Sequence, residues 1–378
     1  MSDTLPDIHQ LLKDMEARDA SDLFITAGLP PSYKIHGRVT PTKKAVLTPE
    51  HSQQIALRIM TDTQREEFTR HQECNFAISI ENVGRFRVNV FRQKQNTGLV
   101  MRKIKTQIPS LEELGLPPGI KELSLAKRGL VIVVGATGSG KSTTLAAMIE
   151  HRNQHDAGHI ICIEDPIEFI HEHKSSIITQ REVGIDTDSF EDALKNTLRQ
   201  APDVILIGEI RSRETMQYAI NFAETGHLCL ATLHANNADQ TLDRIINFFP
   251  EDSRSQLLLD LSLNLKAIIG QQLISTSDRK DRKLAVEILL NTPLSSKMIR
   301  EGAIHKLKEL MQKSAHLGMQ TFDQSLYQLY LRNAISYEDA IHHSDHPNEL
   351  RLLIKLGKEK SQETAPKRNE ITLIDPEA

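Results

Sequence analysis

An apolar stretch followed by a glycine-rich turn limits most strongly what this chain can fold into. Leu130–Val134 is apolar and rich in β-branched residues, as expected of a buried strand, and 143–153 is typical of a helix. The turn between them, Gly135 to Ser142, has the spacing G-x-x-x-x-G-K-[ST]. Glycines let successive backbone N–H groups converge on a phosphate, and a helix N-terminus adds partial positive charge. The sequence therefore predicts a strand–loop–helix unit that binds a nucleoside triphosphate.

Each residue of this loop has a predicted task, with a nucleoside triphosphate and Mg²⁺ as the predicted ligands. Lys141 is expected to reach the β- and γ-phosphates, and the Ser142 hydroxyl is expected to hold Mg²⁺. The remaining residues predicted to contact the nucleotide are Gly135, Ala136, Thr137, Gly138, Ser139, Gly140 and Thr143.

Composition predicts a globular protein with room for two domains. The chain has 378 residues, of which 39% are hydrophobic and 25% charged. A net charge of −4 argues against a general nucleic-acid-binding surface. The sequence lacks a run of roughly 20 apolar residues and a basic-then-apolar leader, so we expect no direct membrane insertion. Its three cysteines form no C-x-x-C pair; Cys162 and Cys229 are expected to be buried thiols of a cytoplasmic protein.

Changes of pattern divide the chain into four segments. Residues 1–106 mix helices with short strands in a small α/β domain, and a proline-containing linker follows at 107–122. Residues 123–356 alternate apolar strands with helices, which predicts a mostly parallel sheet covered on both faces, and they end in a helical region. Residues 357–378 are charged and lack periodicity, so they are predicted to be a disordered tail.

Within these segments the periodicity predicts individual elements. In the first domain it indicates a strand over 32–39 and a helix over about 49–70. In the second it indicates a long apolar helix at 254–274. The strands predicted there are 130–134, 159–163, 204–207, 228–232 and 284–290.

Two predicted strands of the second domain end in carboxylates. Glu164 follows the strand 159–163, at the sheet edge that faces a bound nucleotide in α/β folds. A carboxylate there can orient or deprotonate the attacking water, although an acidic strand end is also an ordinary turn. The strand 204–207 is followed by Gly208, where an aspartate is usual, and then by Glu209. We therefore expect the Mg²⁺ contact to run through Glu209, or through water held by Glu209 and the Glu164 region.

Two histidines bracket the predicted strand 228–232. His234 lies at the edge where a γ-phosphate sensor would be, and His227 precedes the strand. A strand-end histidine is more often a satisfied structural residue than a catalytic one. Spacing alone leaves both interpretations open.

One strand of the first domain carries cations on one face. Phe86 and Val88 alternate with Arg85 and Arg87, so one face packs and the other is charged. Three interpretations remain open: a solvated face, a nucleic-acid-binding stripe, or phosphate-binding arginines donated across a domain or subunit boundary. The nearby aromatic residues do not form a base-stacking platform. The cations between 85 and 105 are Arg85, Arg87, Arg92, Lys94, Arg102, Lys103 and Lys105.

Together these motifs resemble those of the secretion-superfamily ATPases. The segments 135–142, 164–168, 207–209 and 225–234 are similar, in order, to the Walker A motif, Asp box, Walker B motif and His box of that superfamily. Further matches, at 181–184, 243–246 and 318–326, are similar to the PilT/PilU family of twitching-motility retraction ATPases. The resemblance runs from about residue 8 to residue 356.

The resemblance implies an architecture and a shared site. It implies a homohexameric ring whose subunits have a PAS-like N-terminal domain, a flexible linker and a RecA-like P-loop NTPase core with C-terminal helices. ATP would lie between the two domains, completed by arginines of the first domain. Arg87 is then the catalytic arginine, and Arg85 and Arg92 are further nucleotide ligands.

The same analogy assigns the remaining roles. Glu164 is the general base, Glu209 is the Mg²⁺ and water residue, and His234 is the γ-phosphate sensor. His227 belongs to the same His box and is a further predicted nucleotide ligand.

The implied function is an ATP-hydrolysing motor that powers type IV pilus retraction, bound peripherally at the inner membrane through a platform protein. Departures from the family pattern at 295–301 and 235–238, together with the tail, favour the PilU branch and leave open a dependence on a paralogous retraction ATPase. The paired C-x-x-C motifs of pilus-assembly motors are absent from the sequence. The alternatives are a RecA-like nucleic-acid-dependent motor and a non-catalytic ATP-binding ring subunit.

Overall fold

Residues 5–35, 37–81 and 83–363 are described by a computed structural model of the chain. Contacts between Cα atoms divide the chain into two units. Unit 1 consists of Met1–Pro109 and Arg152–Gly208, and unit 2 consists of Ser110–His151 and Glu209–Ala378. The predicted domain boundaries at 106 and 122 stay a prediction.

The described chain alternates helices and strands along most of its length. The helices are α1 Ile8–Ala17, α2 Pro49–Ile59, α3 Asp62–His71, α4 Gly119–Ser124, α5 Lys141–His155, α6 Phe190–Thr197, α7 Arg213–Glu224, α8 Ala238–Asn247, α9 Arg254–Asn264, α10 Pro293–Arg300, α11 Leu307–Lys313, α12 Phe322–Leu331, α13 Tyr337–His342 and α14 Pro347–Glu363. The strands are β1 Asp22–Ile25, β2 Ser32–Ile35, β3 Arg38–Pro41, β4 Glu73–Ile80, β5 Gly84–Gln93, β6 Asn96–Lys103, β7 Gly129–Val134, β8 His159–Glu164, β9 Ile177–Glu182, β10 Val204–Ile207, β11 Leu228–Leu233, β12 Leu265–Ser275 and β13 Arg282–Leu290. Short 3₁₀ turns lie at Leu198–Gln200, Glu251–Ser253, Ile304–Lys306 and Ala315–Leu317.

The predicted helix over 254–274 is wrong in its second half. Helix α9 ends at Asn264, and the chain continues directly as strand β12. This strand pairs with β7 on one side and β13 on the other, and most of its side chains are buried on both faces of the sheet. Periodicity does not separate such a continuously apolar strand from a buried helix.

Two other element predictions also need correction. The strand predicted over 32–39 is a hairpin of β2 and β3, and the helix predicted over 49–70 is broken because Thr61 caps a new helix through the N–H of Gln64. Helix α14 continues through Glu363 and so includes residues 357–363 of the predicted tail, whose disorder stays a prediction. Residues 364–378 lie outside the described part of the chain.

Unit 1 contains a six-stranded antiparallel sheet in the order β3-β2-β1-β6-β5-β4. Strand β5 alternates as predicted, with Phe86 and Val88 buried in the core on one face. Tyr33 of β2 is buried in that core, and its hydroxyl donates to the Leu11 carbonyl oxygen of α1 at 2.8 Å. Unit 1 also contains the parallel strands β10, β8 and β9, adjacent in that order. Strand β8 thus has a neighbour on each side, which fixes the position of Glu164 at its end.

Unit 2 contains four adjacent strands in the order β13-β12-β7-β11. Strand β7 is buried throughout and runs parallel to both β12 and β11, whereas β12 and β13 are antiparallel. The register places Glu287, Gly270, Val134 and Leu233 in one row across the four strands. The phosphate loop and the His234 loop therefore leave the sheet from the same row.

Gly270 is the point of closest packing in this row. A Cβ atom there would lie 3.0 Å from the ring of Phe322 and 3.3 Å from the Cβ atom of Glu287. Phe322 belongs to α12 and is completely buried, so the C-terminal helices pack directly on the strand. Glycine at this position lets the helical layer approach the sheet.

Two predictions from composition are tested by burial and helix length. Cys74, Cys162 and Cys229 are free and buried, which confirms the prediction for the last two. Among the described residues, no helix is both long and apolar enough to cross a membrane.

Candidate functional site

The loop after β7 is a backbone cradle that only glycines can form. Gly135, Gly138 and Gly140 have φ angles of +151°, +78° and +94°. At Gly135 a Cβ atom would lie 2.5 Å from the carbonyl oxygen of Gln271 and would also collide with the hydroxyl of Ser139. A glycine is therefore required at the point where the buried strand turns into the loop.

Two polar side chains of the loop fit a bound phosphate. Lys141 is buried, and its Nζ donates to the carbonyl oxygens of Gly135 at 2.9 Å and Ala136 at 3.0 Å. The Oγ of Ser139 is also buried and has no hydrogen-bond partner among the described residues. A buried hydroxyl without a partner costs about 1–3 kcal/mol, and a phosphate oxygen would satisfy it. The donors present thus match an anionic ligand.

Strand β12 holds the helix that follows the loop. The Nε2 of Gln271 donates to the Oγ1 of Thr144 at 2.7 Å, and both side chains are buried. This bond joins the sheet to the first turn of α5, which carries Lys141 and Ser142 at its start.

Glu209 and His234, predicted from two different motifs, contact each other. The Nε2 of His234 lies 3.0 Å from one carboxylate oxygen of Glu209, and the Nη2 of Arg211 lies 2.7 Å from the other. The Glu209 side chain is only 17% exposed. A carboxylate held in this way orients the imidazole, so the two side chains form one polar unit.

A cavity of about 790 Å³ joins this polar unit to the phosphate loop. Its lining includes Gly135, Ala136, Thr137 and His234, together with side chains of α8. The structure therefore places the predicted sensor beside the predicted phosphate cradle, within unit 2.

Glu164 has the electrostatic properties of a proton acceptor near neutral pH. Burial raises the pKa of its carboxyl to about 7. The Nε2 of Gln180 donates to its Oε1 at 3.0 Å, which lowers that pKa, whereas the charges of Glu168 and Glu182 raise it. A base with a pKa close to the working pH is efficient in proton transfer.

Gly208 has no space for the aspartate that is usual at its position. Its N–H donates to the carbonyl oxygen of Ile163 at 2.8 Å. A Cβ atom on Gly208 would lie 3.1 Å from that oxygen and 3.1 Å from the Cα atom of Glu164. Both neighbours are backbone atoms of β8, so an added side chain presses on the strand that carries Glu164.

The arginines of β5 and β6 are matched by carboxylates of the same unit. The Nε of Arg87 lies 3.6 Å from Glu182, whose side chain is 4% exposed, and the Nε of Arg102 lies 2.7 Å from Asp22. Burial raises the pKa of Glu182, while Arg87 and Arg85 lower it. These pairings offset the positive face and disfavour its interpretation as a nucleic-acid-binding stripe.

Two of the predicted nucleotide ligands, His227 and Arg92, lie away from the residues with which they were expected to act. Leu228 and Leu233 pair with opposite ends of β7, so His227 is at the far end of β11 from the phosphate loop. Arg92 is an odd number of residues from Arg87 along β5 and lies on the other face, 5.3 Å from the ring centre of Phe68. His227 thus lies away from the phosphate loop and Arg92 lies on the face of β5 opposite to Arg87, and we leave both out of the proposed ligand set.

Sequence reasoning assigned no role to Gln180 and Glu182, which contact Glu164 and Arg87. Both lie in β9, a short strand whose polar sequence did not predict a strand. The family match at 181–184 was the one available signal, and it carried no information about their partners.

Comparison with known proteins places these features in a family. The profile described as "Type II/IV secretion system protein" matches residues 2–372. The type IV pilus ATPase PilU of Pseudomonas aeruginosa is 61% identical over 93% of this chain and 92% of that protein. PilT of the same organism, named a type IV pilus retraction ATPase, is 43% identical over 88% of this chain and 97% of that protein. The crystal structure of the pilus retraction motor PilT with bound ADP superposes with a TM-score of 0.86 at 42% identity, over 92% of this chain and 99% of that one.

The packing around Gly208 predicts that Gly208→Ala lowers the free energy of unfolding by about 1–3 kcal/mol, because the added methyl group presses on the backbone of β8. Chemical denaturation of the full chain measures this change. Gly119→Ala is the matched control, since a Cβ at Gly119 meets no atom within 4 Å. A Gly208→Ala variant as stable as the control would contradict the packing argument.

Proposed function

We propose that this chain, which belongs to the type II/IV secretion system protein family and is an ATPase, works as a homohexameric motor that retracts type IV pili. The predicted family, its PilU branch and the α/β fold class are confirmed by the relatives and by the PilT structure. The observation that carries the proposal is the phosphate cradle with its buried Lys141, next to the paired Glu209 and His234. Retraction as the work of the motor is proposed because PilT is named a retraction ATPase and its crystal structure is described as that of a retraction motor.

The loop residues of unit 2 are proposed to hold the nucleotide and its metal. Lys141 and the loop N–H groups bind the β- and γ-phosphates, and the hydroxyl of Ser142 and the carboxylate of Glu209 hold Mg²⁺. When bound, Mg²⁺ neutralises charge on the phosphate oxygens. Within the described part of the chain, no group of three or more His, Cys, Asp or Glu side chains could hold a metal ion. The proposed site therefore draws further ligands from phosphate and water.

Proton transfer is assigned to Glu164. Its carboxylate accepts the proton of the attacking water, for which a pKa of about 7 is suitable. His234 contacts the γ-phosphate, and its contact with Glu209 links that phosphate to the metal-holding carboxylate.

Arg87 is proposed to stabilise the charge that develops during phosphoryl transfer in a neighbouring subunit. In the structure its guanidinium is held by Glu182 of its own chain. This contact is made by Nε, so the Nη groups of the guanidinium are the donors proposed to reach the phosphate of the neighbouring subunit.

The cellular location and the partners of the protein are proposed from the same relatives. The chain is assigned to the cytoplasm, peripherally at the inner membrane, where a pilus platform protein is its partner and a paralogous retraction ATPase works beside it. PilU and PilT both occur in Pseudomonas aeruginosa, which supports the pairing of two such ATPases.

The role of Glu164 predicts a pH dependence with a defined sign. The base acts when deprotonated, so kcat rises about ten-fold per pH unit below pH 7 and levels off above it. Glu164→Gln lowers kcat by about 10²–10⁴-fold and abolishes the rise of kcat with pH below pH 7, which is the acid limb of the profile. Steady-state ATPase assays between pH 5.5 and about 8.5 measure both effects.

Two neighbours of Glu164 provide controls of opposite sign. Gln180→Leu removes a donor that lowers the pKa, so the limb moves to higher pH, whereas Glu168→Gln removes a negative charge that raises it, so the limb moves to lower pH. A limb that stays in place in both variants would assign the base to another group.

The proposed role of Arg87 predicts that its substitution lowers ATP turnover only in the assembled ring. Arg87→Gln lowers the turnover of the assembled ring by about a hundred-fold or more, because the transition-state charge loses its partner. Turnover of monomeric fractions, separated by size, stays at the wild-type level. Arg92→Gln is the control on the opposite face of β5. An equal loss in monomer and ring would exclude a contribution across subunits.

Retraction itself is tested in the bacterium that carries the gene. Deletion is expected to leave cells with more surface pili and without twitching, because assembled pili are no longer withdrawn. Complementation with the wild type or with Arg92→Gln restores twitching, whereas Lys141→Ala does not. Cells without pili would instead indicate an assembly motor, and strong stimulation of purified ATPase by single-stranded DNA would indicate a nucleic-acid motor.

A further inference from the structure

Glu287 is a buried carboxylate that none of the motifs includes. It lies in β13, its side chain is 1% exposed, and its Oε1 accepts a hydrogen bond from the N–H of Ala238 at 2.8 Å. Ala238 is the first residue of α8, so its N–H has no acceptor within the helix. The contact joins residues 49 positions apart in the sequence.

The register of the sheet places Glu287 in line with both loops of the site. Glu287 pairs with Gly270, Gly270 also pairs with Val134, and Val134 pairs with Leu233. Val134 directly precedes the phosphate loop, and Leu233 directly precedes His234. A carboxylate at the end of this row is therefore fixed relative to both loops by the strand ladder.

Only a short segment separates His234 from the helix that Glu287 contacts. At its far end, the Asn237 side chain accepts from the N–H of Gln240 at 2.9 Å, and Ala238 is bound by Glu287. At its near end, His234 follows β11 directly. The conformation of the segment is thus set by an anchor on each side.

We propose that Glu287 is a positioning residue for ATP turnover: by binding the N-terminus of α8 it holds the segment 234–237 where His234 meets the γ-phosphate. This inference rests on the proposed sensor role of His234. Glu287 itself touches no reacting group, and it acts through the helix.

The charge of Glu287 suits this task. A helix N-terminus carries partial positive charge and stabilises an anion. Burial raises the pKa of Glu287 to about 7, the bond from Ala238 and the charge of Lys308 lower it, and Asp345 and Asp239 raise it. Its second oxygen, Oε2, is buried without a hydrogen-bond partner among the described residues. The N–H of Ala238 at the helix terminus is therefore the hydrogen-bond donor that this buried carboxyl meets on the side of the site.

The test compares full-length Glu287→Ala and Glu287→Gln with His234→Ala and with Glu301→Gln, an exposed control at the C-cap of α10. Affinities for ADP and for a non-hydrolysable ATP analogue are measured with kcat. Glu287→Ala is expected to lower kcat and the analogue-to-ADP affinity ratio by about ten-fold each, with ADP affinity within about two-fold of wild type. Glu287→Gln keeps an acceptor oxygen, so its kcat and affinity ratio are expected to lie between those of the wild type and Glu287→Ala. Both quantities are expected to stay at the wild-type level in Glu301→Gln.

Amide hydrogen exchange at Ala238 gives a readout that does not depend on activity. Exchange is expected to become faster in Glu287→Ala and less so in Glu287→Gln, because the N–H loses its acceptor. Unchanged exchange would overturn the inference, as would an ADP affinity that falls as far as that of the analogue, which indicates general destabilisation. If His234→Ala leaves the affinity ratio unchanged, the sensor role fails and the inference with it. If His234→Ala lowers the ratio and neither Glu287 variant does, the inference alone fails.

Discussion

The hydrogen-bond ladder that places β7 between β11 and β12 is the constraint on which the site in unit 2 depends. Every residue of β7 is buried, so a slip of one residue would turn its apolar side chains toward the wrong layer. Because the register is strongly specified, the residues after Val134 and Leu233 emerge together. The phosphate cradle and His234 are thus brought into one cavity by core packing rather than by contacts with a ligand.

Buried carboxylates recur at the points where the chain is expected to move or react. Glu164, Glu182 and Glu287 all have pKa values raised by burial, and each is held by a named donor or cation of its own unit. A buried charge is costly unless it is paired, so each position is stable only while its partner stays in place. In this protein those partners are a side-chain amide, an arginine and a helix N-terminus.

Short motifs in the sequence predicted candidate site residues, and the pattern of elements predicted the α/β fold class, but several single elements were predicted wrongly. The loop to Ser142, Glu164 and Glu209 follow from local spacing, because phosphate binding and strand-end carboxylates have short signatures. Strand β12 was mistaken for helix since its apolar run has no period, and β9 was missed since its residues are polar. The pairing of Arg87 with Glu182, and the cap that Glu287 forms on α8, join distant parts of the sequence. Such contacts depend on tertiary packing, which no local pattern encodes.

The close approach of Gly208 to β8 has a consequence for how this family of sites can vary. The backbone of Glu164 occupies the space that a side chain at 208 needs, so the two motifs share one volume. A side chain at 208 would therefore bring its Cβ atom into tight contact with the backbone that carries Glu164. A substitution at this position acts on the strand of Glu164 as well as on the loop to which residue 208 belongs.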